Sequence, residues 1–309
     1  MSSFPVPDGP HNDPWKELLA PCFAVVDAVT SEHKVDFPIR IGGGSMLLRR
    51  YRHRKSKDLD LFVSDVRLAR WCSPRFNEAA MDLFPDYSEE GTAVKLIIGM
   101  QEVDVIAVAP IMSDDEALDA VIIKDRSVLV ERPREILAKK IIYRGRTFQP
   151  RDIFDLACVA TAEPAEVAAI LPYLNPTNID DLTASFNAME PVLNKELGNK
   201  VEAFAEFEPV LEQCLEISRG VVEAWRANLI PKVDVPPFPR DTHRAFFSRD
   251  GRSVVIRRLN PNTRRHDVID NPLGFASVSP EESAYYVEGE KVDDEEWRRR
   301  FQEPRPSRP

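Results

Sequence analysis

The segment "VDFPIRIGGGSMLLRRYRHRKSKDLDLFV", residues 35–63, constrains the fold of this chain more tightly than any other stretch. Val35, Phe37, Ile39 and Ile41 recur at every second position, the period of a half-buried strand. Glycines at 42, 43 and 44 end that strand, and an apolar pattern from about Ser45 to Tyr51 reads as a helix. The two-residue period then returns in "DLDLFV". A strand, a glycine turn, a helix and a strand carrying paired carboxylates form a far more specific pattern than any one of these parts.

The flanking sequence extends the same architecture. Asp13 and Pro14 are a plausible cap and first helical position, and Trp15, Leu18, Leu19, Cys22, Val25, Val26 and Val29 follow at helical spacing. After "DLDLFV" comes a helical stretch from "RLARW" to "NEAAMDLF". The apolar runs "AVKLIIGM" and "EVDVIAVAP" then suggest an antiparallel hairpin, and "SVLVE" a further short strand. The order predicts an α/β (α+β) fold with helices packed on a mixed sheet. From Pro133 the character changes to successive helices with polar breaks. The expected organisation is a flexible lead over 1–12, a core over 13–130, a helical domain over 131–230, and a linker with β-hairpins and a charged tail over 231–309.

Composition excludes several classes. The hydrophobic fraction of 43% beside 30% charged residues belongs to folded globular chains. No apolar run is long enough to span a bilayer, and the amino terminus has no secretory pattern, so the expected compartment is the cytoplasm, with no membrane partner. Cys22, Cys72, Cys158 and Cys214 form no CxxC pair and read as reduced core thiols, and the five histidines give no zinc-ligand spacing. A net charge of -10 argues against a surface that coats nucleic acid, although two basic runs stand out. One holds Arg49, Arg50, Arg52, Arg54, Lys55 and Lys57; the other holds Arg132, Lys139, Lys140, Arg144, Arg146 and Arg151. Taken alone, such runs read as solvated helix faces.

The carboxylates carry the chemistry. In a strand, Asp58 and Asp60 project from one face, where like charges raise each other's pKa unless water screens them or a cation binds. Hard Mg2+ prefers carboxylate oxygens together with substrate phosphates. Asp104 interrupts the apolar run "EVDVIAV" and can complete a three-acid site if its strand lies beside "DLDLF". Gly43 and Gly44 leave space for a ligand, and Ser45 opens a helix whose positive end attracts phosphate. The arrangement suits nucleotidyl transfer, with Asp58, Asp60 and Asp104 as metal ligands.

These residues resemble the AbiEii-type nucleotidyltransferase family, the toxin half of bacterial toxin–antitoxin or phage-abortive-infection pairs, within the DNA-polymerase-β-like superfamily. Gly43, Gly44, Ser45 and Leu47 match its first motif; His53, Arg54, Ser56, Asp58, Leu59, Asp60, Leu61 and Phe62 match its second. Met46 and the extra Gly42 depart from it. A later lysine followed by RDxxD is matched by Lys140, Arg151, Asp152 and Asp155. The resemblance implies a minimal nucleotidyltransferase core, use of a nucleoside triphosphate (NTP) and Mg2+, and an RNA acceptor such as a tRNA 3′ end. It also implies a cognate antitoxin protein. Catalytic roles fall on Asp58, Asp60, Asp104, Lys140 and Asp152, and nucleotide binding on Gly43, Gly44, Ser45, Ser56, Lys140 and Arg151. For Lys140 and Asp152 the alternative is a solvated lysine and an N-cap or intrahelical partner. At the level of the whole chain, the alternatives are a small-molecule acceptor, or a binding module without catalysis.

Overall fold

The computed structural model describes residues 13–229, 243–247, 253–258, 283–287, 290–293 and 295–296. The expected lead over 1–12, the proline-rich linker and most of the charged tail lie outside the described residues. The chain divides into two compact units, Met1–Leu171 with Leu182–Glu223, and Pro172–Asp181 with Ala224–Pro309.

The first unit begins with a 3-10 turn, Pro14–Leu18, that runs into helix α1 (Leu19–His33). Pro21 sits in the first turn of α1, where its missing N–H costs nothing. Strand β1 covers only Arg40–Gly42, shorter than the alternation predicts. Pro38 has no N–H to give a ladder, yet Phe37, Ile39 and Ile41 are still buried in sequence. Helix α2 (Gly43–Tyr51) starts at the second glycine, two residues before the expected Ser45, and β2 spans Leu59–Val63. The helical stretch expected next is two helices, α3 (Val66–Trp71) and α4 (Glu78–Leu83). Pro74 lies between them, and each has its own cap: Asp65 accepts from Arg67 N at 2.8 Å, and Asn77 from Ala80 N at 2.9 Å.

Strands β3 (Asp86–Glu90), β4 (Ala93–Ile98) and β5 (Gln101–Ala107) follow, the last two forming the expected hairpin around Gly99 at φ +60°. After the short helix α5 (Asp114–Ala117) come β6 (Leu118–Ile123) and β7 (Arg126–Glu131). The seven strands form one sheet in the order β3-β4-β5-β2-β1-β7-β6. Strand β2 runs parallel to β5 and β1 parallel to β7, with every other pairing antiparallel. This mixed sheet with its helices makes the protein α+β. Helices α6 (Pro133–Arg144), α7 (Pro150–Ala162) and α8 (Pro164–Ala168) each open on a proline, whose fixed φ suits a first helical position. They are followed by α9 (Pro176–Met189), α10 (Leu193–Lys200), α11 (Glu208–Glu212) and α12 (Cys214–Asn228). No helix of the described residues is long and apolar enough to cross a membrane.

In the second unit, β8 (His243–Phe247), β9 (Ser253–Arg258), β10 (Ser283–Val287) and β11 (Glu290–Val292) form an antiparallel sheet in the order β11-β10-β9-β8. Its outer pairs are the two hairpins expected from the sequence.

The pleat of the large sheet sorts its side chains into two faces. Ile41, Leu59, Leu61, Val63, Val94, Leu96, Val103, Val105, Val128 and Val130 are buried, and α3 lies against β2, β4 and β5. Alternate residues, among them Asp60, Phe62 and Asp104, are half-buried. Lys139 of α6 places its ammonium 4.0 Å from the Phe62 ring centroid, so α6 packs on that polar face. Leu61→Ala, in the dry face beside Asp60, should lower unfolding free energy by about 2–5 kcal/mol in chemical denaturation. Met100→Ala, at an exposed turn, should change it by less than about 0.5 kcal/mol.

Candidate active site

Asp60 sits at the middle of the polar face. In the sheet register it pairs with Gly42 on one side and with Asp104 on the other. Two aspartates on adjacent strands therefore share one short stretch of surface. The Asp60 carboxyl is pushed up to about 6, first by burial and then by Asp104. Lys140, Arg151 and Arg144 act in the opposite sense, so the field of all three cations reaches Asp60. Asp104 is also raised, by burial, with Lys95 opposing.

The glycine bend closes on this face. Gly43 has φ +69°, which favours glycine, and a Cβ there would collide with the Asp60 carboxylate. A Cβ on Gly44 would stand 2.6 Å from Arg54 Nη2, and one on Gly42 would collide with Glu131. The space freed by the three glycines is thus filled by charged side chains of the protein itself. Gly42, the residue outside the motif, has its own reason in Glu131.

Asp58 lies one residue before β2, and its Oδ1 accepts from Glu102 N at 3.2 Å. Burial, followed by the Glu102 charge, raises its pKa. The three aspartates expected to share a metal therefore lie along neighbouring strands. Among the described residues, however, no group of three or more His, Cys, Asp or Glu side chains is assembled to hold a metal ion. Lys95 Nζ lies 3.3 Å from Asp104 Oδ1. The donor set itself, carboxylate oxygens with raised pKa values beside a bend without side chains, fits a hard divalent cation.

Ser45 is buried, and its hydroxyl donates to the Asp58 carbonyl oxygen. It also lies 2.9 Å from the Ser56 hydroxyl. Both serines thus fasten the start of α2 to the loop carrying Asp58.

A second cluster lies under the bend. Asp155 is fully buried, and its carboxylate accepts from Arg54 Nε at 2.7 Å, Arg54 Nη2 at 3.0 Å and Lys140 Nζ. His53 Nε2 lies 2.8 Å from the same carboxylate. Burial alone would raise the Asp155 pKa, but Arg54, Lys140 and His53 hold it well below 3.8. Burial lowers the pKa of His53, whose Nδ1 has no partner. A neutral ring carrying its proton on Nε2 satisfies both facts, because a second N–H would be buried without an acceptor.

Lys140 is buried, not solvated, and its Nζ is also 2.8 Å from Asp152 Oδ1. Asp152 accepts from Arg144 Nη2 at 2.7 Å and from Gln149 N at 3.1 Å, closing a capping box at the start of α7. Helical periodicity puts Asp152 and Asp155 on one face, both turned to Lys140. Arg151 is exposed, and its charge acts on Asp60 and Asp104. His53 and Arg54, matched in the motif without a role, emerge as the partners of Asp155. The "HR" pair was their only signal in the sequence. Glu102 and Lys95 gave none.

Replacing Asp155 leaves buried cations without their anion, so Asp155→Asn should cost about 3–5 kcal/mol. Since the folded pKa is depressed, the carboxylate contributes its full stability above 3.8 and loses it as pH falls through the folded value. Denaturation of both proteins across pH should show a constant gap at neutral pH that narrows only below 3.8.

Residues 27–212, more than half of the chain and all of the site above, match the family model described as nucleotidyl transferase AbiEii toxin, type IV toxin–antitoxin system. No curated protein sequence matches. Among solved structures, a crystal structure of a protein from H. pylori ascribed to the nucleotidyltransferases aligns with a TM-score of 0.39 at 14% identity, covering 68% of this chain and 93% of that one. A likeness at that level carries no weight for fold or function. On the family match, the chain belongs to the AbiEii nucleotidyl transferase toxins of type IV toxin–antitoxin systems.

Proposed function

We propose that this protein transfers a nucleoside monophosphate from an NTP to a hydroxyl of RNA, with a tRNA 3′ end as the acceptor, and that this transfer makes it the toxin of its pair. Membership of the family implies a nucleotide substrate and a cognate antitoxin. The observation that carries the reading is the registered pair Asp60 and Asp104 beside the Gly43 bend, within the field of Lys140, Arg144 and Arg151. Anionic and cationic groups so juxtaposed suit a reaction that needs positioning and charge neutralisation more than covalent help.

In this reading Asp58, Asp60 and Asp104 hold Mg2+, which when bound neutralises charge on the phosphates and lowers the pKa of the attacking hydroxyl. Backbone N–H groups at the start of α2, beside Gly43 and Gly44, favour the anionic triphosphate. Ser45 and Ser56 act through Asp58, keeping its loop in register with that bend. Lys140 has three N–H donors, and Asp152 and Asp155 take two. In this reading the remaining N–H meets a triphosphate oxygen, and Arg151 adds its charge from the exposed side. Asp152 serves by orienting Lys140 and Arg144. A small-molecule acceptor is the second reading, favoured by the net charge of -10. Localisation in the cytoplasm accords with either.

Incubation with each labelled NTP, Mg2+ and total RNA tests the proposal. Label is expected in RNA of tRNA size; label confined to acid-soluble product favours the second reading, and no transfer at all refutes both. Asp60→Ala should abolish incorporation. The raised Asp60 pKa means that its ionisation costs stability as pH rises through about 6. The variant should therefore melt no lower than the parent at alkaline pH. Lys140→Met should raise the NTP requirement; unchanged kinetics would remove Lys140 from the site.

A further inference from the structure

The two lysines that meet carboxylates near Asp60 are held differently. Lys140 is gripped between two fully buried aspartates and is itself 9% exposed. Lys95 stands on β4 opposite Asp104 in the antiparallel register. Its Nζ lies 3.3 Å from Asp104 Oδ1 and bonds Glu102 Oε2. The Lys95 side chain is 35% exposed, and those of Glu102 and Asp104 are 37% and 25% exposed. An ammonium on a flexible four-carbon stem can leave such a place for water without stranding a buried charge. Lys140 has no such exit.

Glu102 extends the acidic surface. It precedes Asp104 by two residues, so the pleat puts both side chains on one face, and its charge acts on Asp58 and on Asp104. Asp58, Asp60, Glu102 and Asp104 thus crowd one face, and Lys95 forms the ion pairs that offset the charge at its β4 edge. The ammonium lies against Asp104 Oδ1, an oxygen that a divalent cation held by Asp104 would compete for.

We propose that Lys95 is a tethered counter-cation, which balances Glu102 and Asp104 while the site carries no metal and which a divalent cation must displace from Asp104 in order to bind. The proposal rests on the metal-dependent reading given under Proposed function. It makes metal uptake an exchange: the carboxylates give up one cation to accept another, and the displaced ammonium remains nearby to repel the newcomer. The resting protein is thereby stabilised against its own acidic cluster at the expense of metal affinity. A site built this way loads fully only when the metal is abundant or when triphosphate arrives with it to draw the ammonium away.

Binding of Mn2+ to the full chain, measured by titration calorimetry without nucleotide, tests the exchange independently of activity. Lys95→Met and Lys95→Gln should each bind Mn2+ about tenfold more tightly than the parent, the order expected for removing a unit charge beside a divalent ion in a hydrated setting. Lys95→Arg, which keeps the charge, should retain the parent's affinity. Without metal, both neutral variants should melt below the parent, and saturating Mn2+ should close the gap. Equal or weaker Mn2+ binding by the neutral variants overturns the exchange. So does weaker NTP binding with unchanged Mn2+ affinity, which would make Lys95 a phosphate ligand instead. Asp60→Asn separates this from the parent reading: it should weaken Mn2+ binding in every background. If it does not, the metal site itself falls, and the role of Lys95 falls with it.

Discussion

The bend between β1 and α2 comes down on Asp60 without space for a single methyl group, and much of the site's geometry follows from that closeness. Gly42, Gly43 and Gly44 give way to Glu131, Asp60 and Arg54 respectively. Each of those side chains is charged, and two of them are buried. The bend therefore acts as a mould for ionic groups. Glu131 is pushed up to about 7 by burial, even though Lys139 opposes the shift, and its Oε2 has no partner.

Two pairs of aspartates show how neighbours decide what a carboxylate does. Asp60 and Asp104 face each other across parallel strands, and burial with like charge lifts them toward protonation. Asp152 and Asp155 lie on one face of α7 and are fully buried, yet both are lowered. For Asp155 the difference is Arg54, Lys140 and His53; for Asp152 it is Lys140 and Arg144. The first pair is only partly offset by its cations, and burial prevails. The second is saturated and fixes the loop after α2, α6 and α7 in one arrangement. Lys140 belongs to both settings, since its ammonium is held by the second pair while its field acts on the first.

The acidic face was legible because it obeys a local rule. Alternation places Asp60 opposite to Leu59 and Leu61, and an aspartate inside "EVDVIAV" has no packing reason to be there. The hairpin of β4 and β5 and the proline-opened helices α6, α7 and α8 were legible for the same reason. Strand β3 was not, because "DYSEE" is an edge strand exposed over nearly its whole length and so carries no apolar period. Strand β6 is the other edge, and its Ile122 is 71% exposed. The hub at Asp155 was hidden by distance. Its partners Arg54 and His53 lie about a hundred residues earlier, in a run whose composition suggests solvent.

That concealment bears on the RNA acceptor proposed for this chain. Taken alone, the two basic runs read as solvated helix faces, yet much of their charge is engaged inside the protein. Arg54 is committed to Asp155, Lys139 to Glu131, and Lys140 to Asp152 and Asp155. Nearer the surface, Arg50 is paired with Glu163, Arg52 with Asp13, Lys55 with Glu202 and Arg132 with Asp119. In a chain of net charge -10, cations so engaged leave little general attraction for a phosphate backbone. Under the proposed transfer, discrimination among acceptors would rest on the shape and polarity immediately around Asp60 rather than on a basic surface.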